Sequence, residues 1–525
     1  MSSTSDPAQG GFRLSQLIYD TRYRSNTIQT VALIALMAAA WWLVNNTLTN
    51  LEALGKGLGF GFLGEPASYD INQKLVEYNS RDPHSWAAVA GVLNTLLVAL
   101  MGCITATIIG VFVGVLRLSN NWLISRLMTV YVEMFRNVPL LLWILIVFGV
   151  MIEIMPPPKE FRGEDAAASM YLFDSIAVTN QGIFLPRLVG TSLHWLFFVG
   201  FALSIGSIVW LRKRAERIQN ETGDRPGTFL ISTLMVIVPF CVIFLGISAL
   251  SSNEQRDLIL RDLPGVNSIE ALAEANKRID LCVDGGHIGS QSAIKYLEEN
   301  EIKFRRKNFL TPAGAIDAFQ SGTCSALVVT DAQAASILAS MDGNLTVLNG
   351  VEGSADIMSA DFTTGRALGF DYPGISEKGI PRFEGGTRMR NSLIALWLAL
   401  SLYTAAFIAE IVRAGIMAIS RGQTEASYAL GISPGRTMSL VVLPQALRVI
   451  IPPLISQYLN LTKNSSLAIA VGYMDITGTL MGITLNQTGR EMETILLGML
   501  IYLTISLSIS AVMNWYNNRV KLVER

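Results

Sequence analysis

Long apolar runs, rather than short amphipathic stripes, organise this chain. Eight stretches reach the roughly 20 residues that a helix needs to cross a hydrocarbon core about 30 Å thick. They lie at about 28–50, 87–116, 127–155, 190–211, 228–250, 390–416, 438–462 and 493–514. The seventh contains Pro444, Pro452, Pro453, Gln445 and Arg448. Freed backbone groups and a charge are tolerated at membrane depth only when packed against protein, so this span is expected to be broken and buried among other helices. Between the fifth and sixth spans the pattern changes. Ile279–Val283, Ile302–Arg306, Ala326–Thr330 and Leu345–Leu348 read as strands, separated by helices at Ser290–Asn300, Pro312–Ser321 and Asp331–Met341. Strands alternating with helices of about ten residues predict βαβ units and a parallel sheet. The Gly/Pro-rich segment Gly353–Thr387 reads as an irregular linker back to the membrane. No internal repeat or low-complexity tract is evident.

Composition supports lipid as the solvent. The 525 residues are 51% hydrophobic and 15% charged, whereas soluble domains carry about 25% charged residues. The first 27 residues are polar, carry Arg13, Arg22 and Arg24, and lead into a run ending at Trp41 and Trp42. They are expected to form a cytoplasmic segment, not a cleaved signal. Net charge is −1, but residues 251–389 hold 13 Lys/Arg against 19 Asp/Glu. That acidic block and its basic remainder suggest two compartments. With the N-terminus inside, the cytoplasmic segments hold 16 Lys/Arg and the short outer ones 8, the bias expected of inner loops. Both termini are then cytoplasmic and the acidic block lies outside. The expected division is 1–27 cytoplasmic, 28–250 with spans one to five, 251–389 an outer α/β insertion with linker, and 390–525 with spans six to eight. The fold class is an all-α membrane protein carrying an inserted α/β lobe. Cys103 and Cys241 fall inside apolar runs, where a small soft side chain is ordinary packing. Cys282 and Cys324 fall in the acidic block and would be a disulfide in an oxidising compartment or two buried thiols otherwise.

The most informative segment is Glu425-Ala-Ser-Tyr-Ala-Leu-Gly431, followed by a turn at Ser433-Pro434-Gly435, then Leu443–Pro444 and Pro452–Pro453. A short helix from Glu425 to Leu430 should stop at Gly431, which can take a left-handed cap conformation. The result is a compact knuckle near 421–436 between two spans. This arrangement resembles the signature of ABC importer permeases, Glu-Ala-Ala, three residues, Gly, then Leu-Pro, with Ser427 for the second alanine. The resemblance implies a coupling helix seated on an ATPase subunit through Glu425, Ala426, Gly431, Leu443 and Pro444. Tyr131–Leu141 (YVEMFRNVPLL), Leu402–Gly415 (LYTAAFIAEIVRAG) and Tyr458–Leu467 (YLNLTKNSSL) look like motifs of polar amino-acid permeases. They most resemble the general L-amino-acid (glutamate/glutamine/aspartate/asparagine) subfamily, over about 87–155 and 390–520. That family implies an ABC ATPase dimer, a second permease subunit forming a heterodimer, a periplasmic amino-acid-binding protein, and an inner-membrane location. No G-x-x-x-x-G-K-[ST] pattern occurs, so ATP–Mg is expected on the partner ATPase and no cofactor, metal or catalytic residue on this chain. Nothing points to nucleic acid.

Ionisable groups inside spans are costly and therefore paired or pathway-lining. Glu133 with Arg136, and Glu410 with Arg413, are spaced i,i+3 and could neutralise each other on one helix face. With Asn137 they are candidate gate residues. Asn460, Lys463, Asn464, Ser465 and Ser466 lie where the seventh span is expected to reach the outer side. A lysine with hydroxyls and amides could meet both ends of a zwitterionic amino acid.

The acidic insertion resembles one lobe of a periplasmic amino-acid-binding protein. Leu281–Gln291 (LCVDGGHIGSQ) looks like the turn that holds a ligand carboxylate at a helix N-terminus, with Gly289 and a capping Ser290. Ala318–Asp331 (AFQSGTCSALVVTD) resembles the stretch where Thr330 and Asp331 would meet the ligand amine. That likeness also implies a Cys282–Cys324 disulfide. His287, Ile288 and Gly289 replace the Thr-Thr of the carboxylate turn, and one lobe is half a clamshell, so docking of a separate binding protein or guarding of the outer gate is favoured over capture. Two competing readings remain. A ligand-gated channel or sensor would need a second lobe and a filter sequence, and a secondary transporter would show related halves.

Overall fold

The computed structural model describes residues 21–53, 55, 57–163, 166–190, 195–222, 227–251, 256–261, 263, 266, 268–284, 288–309, 311–341, 345–348, 368–375 and 380–520. Its membrane part begins with α1 (Thr21–Ala53) and α2 (His84–Leu116). The third apolar run is not one straight span. It forms α3 (Trp122–Asn137) and α4 (Leu140–Glu153), bent by 106° at Val138–Pro139. Proline lacks the amide a continuing helix needs, and it holds the preceding residue extended; Val138 has φ −107° and ψ 134°. A small hairpin of β1 (Ala177–Thr179) and β2 (Gly182–Leu185), then β3 (Arg187–Gly190), precede α5 (Trp195–Thr222) and α6 (Phe229–Ser251).

The lobe then runs β4 (Arg256–Arg261), α7 (Ile269–Glu274), β5 (Ile279–Asp284), α8 (Ile288–Glu299), β6 (Phe304–Phe309), α9 (Pro312–Gln320), β7 (Ala326–Thr330), α10 (Asp331–Ser340) and β8 (Leu345–Leu348). Its sheet has the order β6-β5-β7-β4-β8. The sheet is mixed, not parallel: β5 pairs parallel with β6 and β7, while β4 inserts antiparallel between β7 and β8. Apolar layers cover both faces. Leu258, Leu260, Leu281 and Val283 point to one side, and Ile259, Cys282, Leu327 and Val329 to the other. Such double burial makes strands read as unbroken apolar runs.

The return segment is more ordered than a linker. Residues 353–367 and 376–379 of it lie outside the described residues, but β9 (Leu368–Asp371), β10 (Gly374–Ile375), β11 (Phe383–Glu384) and β12 (Thr387–Arg390) form within it. Strand β9 pairs with β3, and β12 with β2. These partners lie about 200 residues away in the chain, so no local pattern announces them. Two charged contacts tie the lobe down. Asp371, 4% exposed at its side chain, bridges Arg187 at 2.9 Å and Arg306 at 3.0 Å. Glu77 Oε1 accepts from the Thr311 amide at 2.5 Å, at the positive N-terminus of α9.

The chain re-enters the membrane as α11 (Asn391–Met417) and continues with α12 (Arg421–Ala429), α13 (Pro434–Thr437), α14 (Leu443–Asn464), α15 (Leu485–Thr488) and α16 (Glu491–Val520). Helix α11 is the hub, with 67% of its apolar window buried, whereas that of α1 is wholly exposed. Small residues explain the close approach of α2 to its neighbours. Gly102, Ala106, Gly110 and Gly114 recur every four residues along one face of α2, and a Cβ on Gly110 would lie 2.6 Å from Ile408 Cβ. In lipid, where apolar burial between helices gains little, such small ridges allow the backbone contact that drives association. The seventh span is continuous over α14 despite Pro452 and Pro453. Its irregular backbone sits at the ends instead, as a π-helical turn at Met438–Val442 ahead of Pro444 and a 3₁₀ stretch at Ser465–Val471. The wider turn ahead of Pro444 accommodates its missing donor and its ring.

Candidate functional site

The knuckle between α11 and α14 is built from its cap outward. Helix α12 closes on Gly431 at φ +76°, where the Ile432 amide donates to Ser427 O at 3.1 Å and the Gly431 amide to Tyr428 O at 2.9 Å. This pair of reversed bonds is the Schellman arrangement, which satisfies the helix's last carbonyls and turns the chain. Ser427, the departure from the signature, is buried and donates to Gln423 O at 2.8 Å. The outer face of the knuckle is apolar and open, with Leu430 80% and Tyr428 48% exposed. Glu425 and Ala426 are exposed beside them, as are Leu443 and Pro444 at the start of α14. Ser433–Gly435 does not form a free turn; Pro434 opens α13, at a first-turn position where its missing amide removes no bond.

Glu410 sits at the same end of α11. Its Oε1 accepts from Arg413 Nη2 at 2.6 Å, and its Oε2 accepts from Arg117 Nη1. Arg117, the C-cap of α2, was absent from the expected set because it lies 293 residues from its partner. One carboxylate thus clasps the C-terminal ends of α2 and α11 together. The other i,i+3 pair does not close. Arg136 lies over the Phe407 ring at 5.5 Å, and Glu133 accepts from Asn137 Nδ2 at 3.3 Å. The bend at Pro139 places α3 across α11, with Tyr131 donating to Leu402 O at 2.7 Å, so Arg136 meets an aromatic face before it meets Glu133.

The polar run of the seventh span sits deeper than expected. Leu461 packs on Gly102, midway along α2, and Tyr458 Oη lies 2.7 Å from Thr107 Oγ1. Asn460 and Lys463 therefore stand near mid-span and are exposed, with Asn464 and Ser466 half-buried and Ser465 buried against Thr462 O. Beyond Gly472, a buried polar network that the sequence reading overlooked joins four segments. Asp475 accepts from the Gly478 amide at 2.9 Å and from Tyr502 Oη at 3.0 Å, while Asn94 donates to Gln73 O and Met474 O. An acid in the small-residue run around Asp475 was the signal available.

In the lobe, Cys282 and Cys324 are joined as a disulfide with Cα atoms 5.8 Å apart. Ser290 stands inside the first turn of α8 rather than before it, and its buried Oγ has no hydrogen-bond partner among the described residues. Glycine-rich residues 285–287, including His287, lie outside the described residues, as do the surroundings of Gly289 and the side chains of Thr330 and Asp331, which end β7 and open α10. Beneath the lobe, burial and then the neighbouring Arg390 charge hold Arg388 below the usual guanidinium range.

Residues 387–522 match the family described as binding-protein-dependent transport system inner membrane component. Over its full length the chain is 44% identical to all of the glutamate/glutamine/aspartate/asparagine transport system permease protein BztB of Rhodobacter capsulatus. It is 33% identical to the general L-amino acid transport system permease protein AapQ of Rhizobium johnstonii, over 98% of this chain and 96% of that protein. It is 32% identical to the putative amino-acid ABC transporter permease protein YhdX of Escherichia coli, over 96% and 95%.

Proposed function

The chain belongs to the amino-acid permease subunits of binding-protein-dependent ABC importers, a multi-pass inner-membrane transport component and not an enzyme, and from that premise we propose how its parts divide the work. It moves L-glutamate, glutamine, aspartate or asparagine, delivered by a periplasmic binding protein. It forms the pathway with a second, paralogous permease and rests on an ATPase dimer that holds ATP–Mg. The channel reading has no place beside this family.

Coupling to the ATPase runs through α12. The observation that carries this is the Gly431-capped knuckle, which projects Tyr428 and Leu430 into the open between two spans. A soluble partner that covers these apolar side chains gains their burial, about 1.5–3 kcal/mol for each large residue fully buried. Glu425 and Ala426 flank the contact; Leu443 and Pro444 brace the next span. The Arg117–Glu410–Arg413 clasp links that end to the α2–α11 core. Asn460, Lys463, Asn464, Ser465 and Ser466, with Glu133, Arg136 and Asn137, line the pathway or its gate. A mid-span lysine exposed in the single chain fits a water-filled route shared with the second subunit.

The α/β lobe lies in the periplasm, where its disulfide is stable, and it docks the binding protein or guards the outer gate. A single lobe lacks the second wall that a clamshell uses to enclose an amino acid. The reading is tested by co-expressing the chain with its transporter partners, purifying the complex and measuring uptake of labelled glutamate and glutamine in proteoliposomes. Uptake requires ATP inside and binding protein outside. A complex without an ATPase, or uptake indifferent to ATP, refutes it.

A further inference from the structure

A cavity of about 370 Å³ opens where β12 runs into α11, bounded on its other sides by α4 and the turn at Gly472. Its volume lies in the lower range of small-molecule sites. Three features give it one electrostatic sign. Arg388 and Arg390 are alternate residues of β12, so both side chains leave the same face of the strand, and both line the cavity. Arg388 is held by the Gln181 carbonyl at 2.7 and 3.1 Å and lies over the Phe184 ring. Neither arginine has a carboxylate partner among the described residues, and no acidic side chain lines the cavity. The N-terminus of α11, a helix of 27 residues, opens into the same space with no side-chain cap and no acid in its first turn. Its free amides and dipole add to the positive potential.

The second kind of group is an acceptor. Asn391, 6% exposed, lines the cavity as Asn180 does, and among the described residues neither its Oδ1 nor Asn180 Oδ1, both shielded from solvent, has a hydrogen-bond partner. Buried acceptors without donors are uncommon in folded proteins and call for an explanation. Two cations and a helix N-terminus suit carboxylates. Two unpartnered amide oxygens suit an ammonium, which inorganic phosphate lacks. We propose that this cavity is an entry subsite for anionic amino acids, with Arg388, Arg390 and the α11 N-terminus on the carboxylates and, once their side-chain amides turn toward the cavity, the Asn391 and Asn180 oxygens on the ammonium. The subsite rests on the permease reading. It would give the permease a preference of its own for glutamate and aspartate over their amides.

The test uses the purified transporter complex without its binding protein. Binding of labelled glutamate and of labelled glutamine is measured for the native chain and for Arg390→Gln and Arg390→Lys. Arg390 is the residue of choice because its hydrogen bond, to Gln73, is made by the backbone amide, and none among the described residues holds its side chain in place. Loss of one charge-assisted contact predicts about tenfold or greater weakening for glutamate, a smaller change for glutamine, and substantial rescue by lysine. Aspartate should displace bound glutamate, and inorganic phosphate should not. Equal weakening of both amino acids by both variants would assign Arg390 a structural role and overturn the subsite. Displacement by phosphate, or no glutamate binding, overturns it too. ATP-dependent uptake by the same native preparation, once the binding protein is added back, separates the two levels. Uptake alongside an unchanged binding ratio removes the subsite alone, and no uptake removes the permease reading with it.

Discussion

Gly431 offers a clean test of the knuckle, because backbone strain and steric clash separate there. At φ +76° its backbone is in the left-handed region, yet a Cβ built on it meets nothing within 4 Å. Any penalty for a larger residue therefore comes from backbone conformation alone. A residue with a Cβ gives up about 1–2 kcal/mol in that region, more when β-branched, whereas asparagine adopts it readily. Gly431→Val should thus destabilise the Schellman turn by at least about 2 kcal/mol, enough to shift a local equilibrium about thirtyfold. Gly431→Asn should shift it little. Because the knuckle is exposed and short, the strain is relieved locally, and the folded membrane core should survive both changes. In proteoliposomes, Gly431→Val should keep expression and binding-protein association while amino acid imported per ATP hydrolysed falls severalfold. Gly431→Asn should stay near the native ratio. Equal tolerance of valine and asparagine, or equal failure of both, would refute the claim that a left-handed stop positions the coupling helix.

Two further outcomes follow from the helix core. Glu410→Gln leaves Arg117 and Arg413 facing each other without their shared carboxylate. For a fully buried pair this would cost about 3–5 kcal/mol, and the 28% exposure of the Glu410 side chain reduces the expected loss to about 1–3 kcal/mol, read as a lower thermal midpoint in detergent. Arg413→Gln, which keeps the Arg117 contact, should cost less, and the reverse order would count against the clasp. Gly110→Leu pushes its side chain into Ile408 and the Ala405 carbonyl, 2.9 Å from the first added carbon. Overpacking of this kind costs about 1–3 kcal/mol or more, and Gly149→Leu, with open space around it, should be neutral in the same assay.

The sequence by itself determined what local signals can carry. Apolar runs of membrane length located the spans to within a few residues at most ends, because lipid imposes a length and a composition together. The stop at Gly431 was legible because glycine takes that conformation with no Cβ penalty. Strands β5 and β7 were visible because both of their faces are buried. Tertiary structure decided what depends on distant partners. The antiparallel place of strand β4 in the lobe's sheet left no local signal, because its neighbours, β7 and β8, lie 65 or more residues further on. The segment read as a linker became strands because β2 and β3 were waiting some 200 residues earlier. Arg117 found Glu410, Arg136 turned to Phe407 instead of Glu133, and Lys463 settled at mid-span rather than at the outer end. Helix α11 also brought its uncapped N-terminus beside two arginines that no carboxylate among the described residues neutralises. The common physical reason is that a local pattern says which surface a segment must bury, whereas the identity of the covering surface is fixed only when the whole chain has packed.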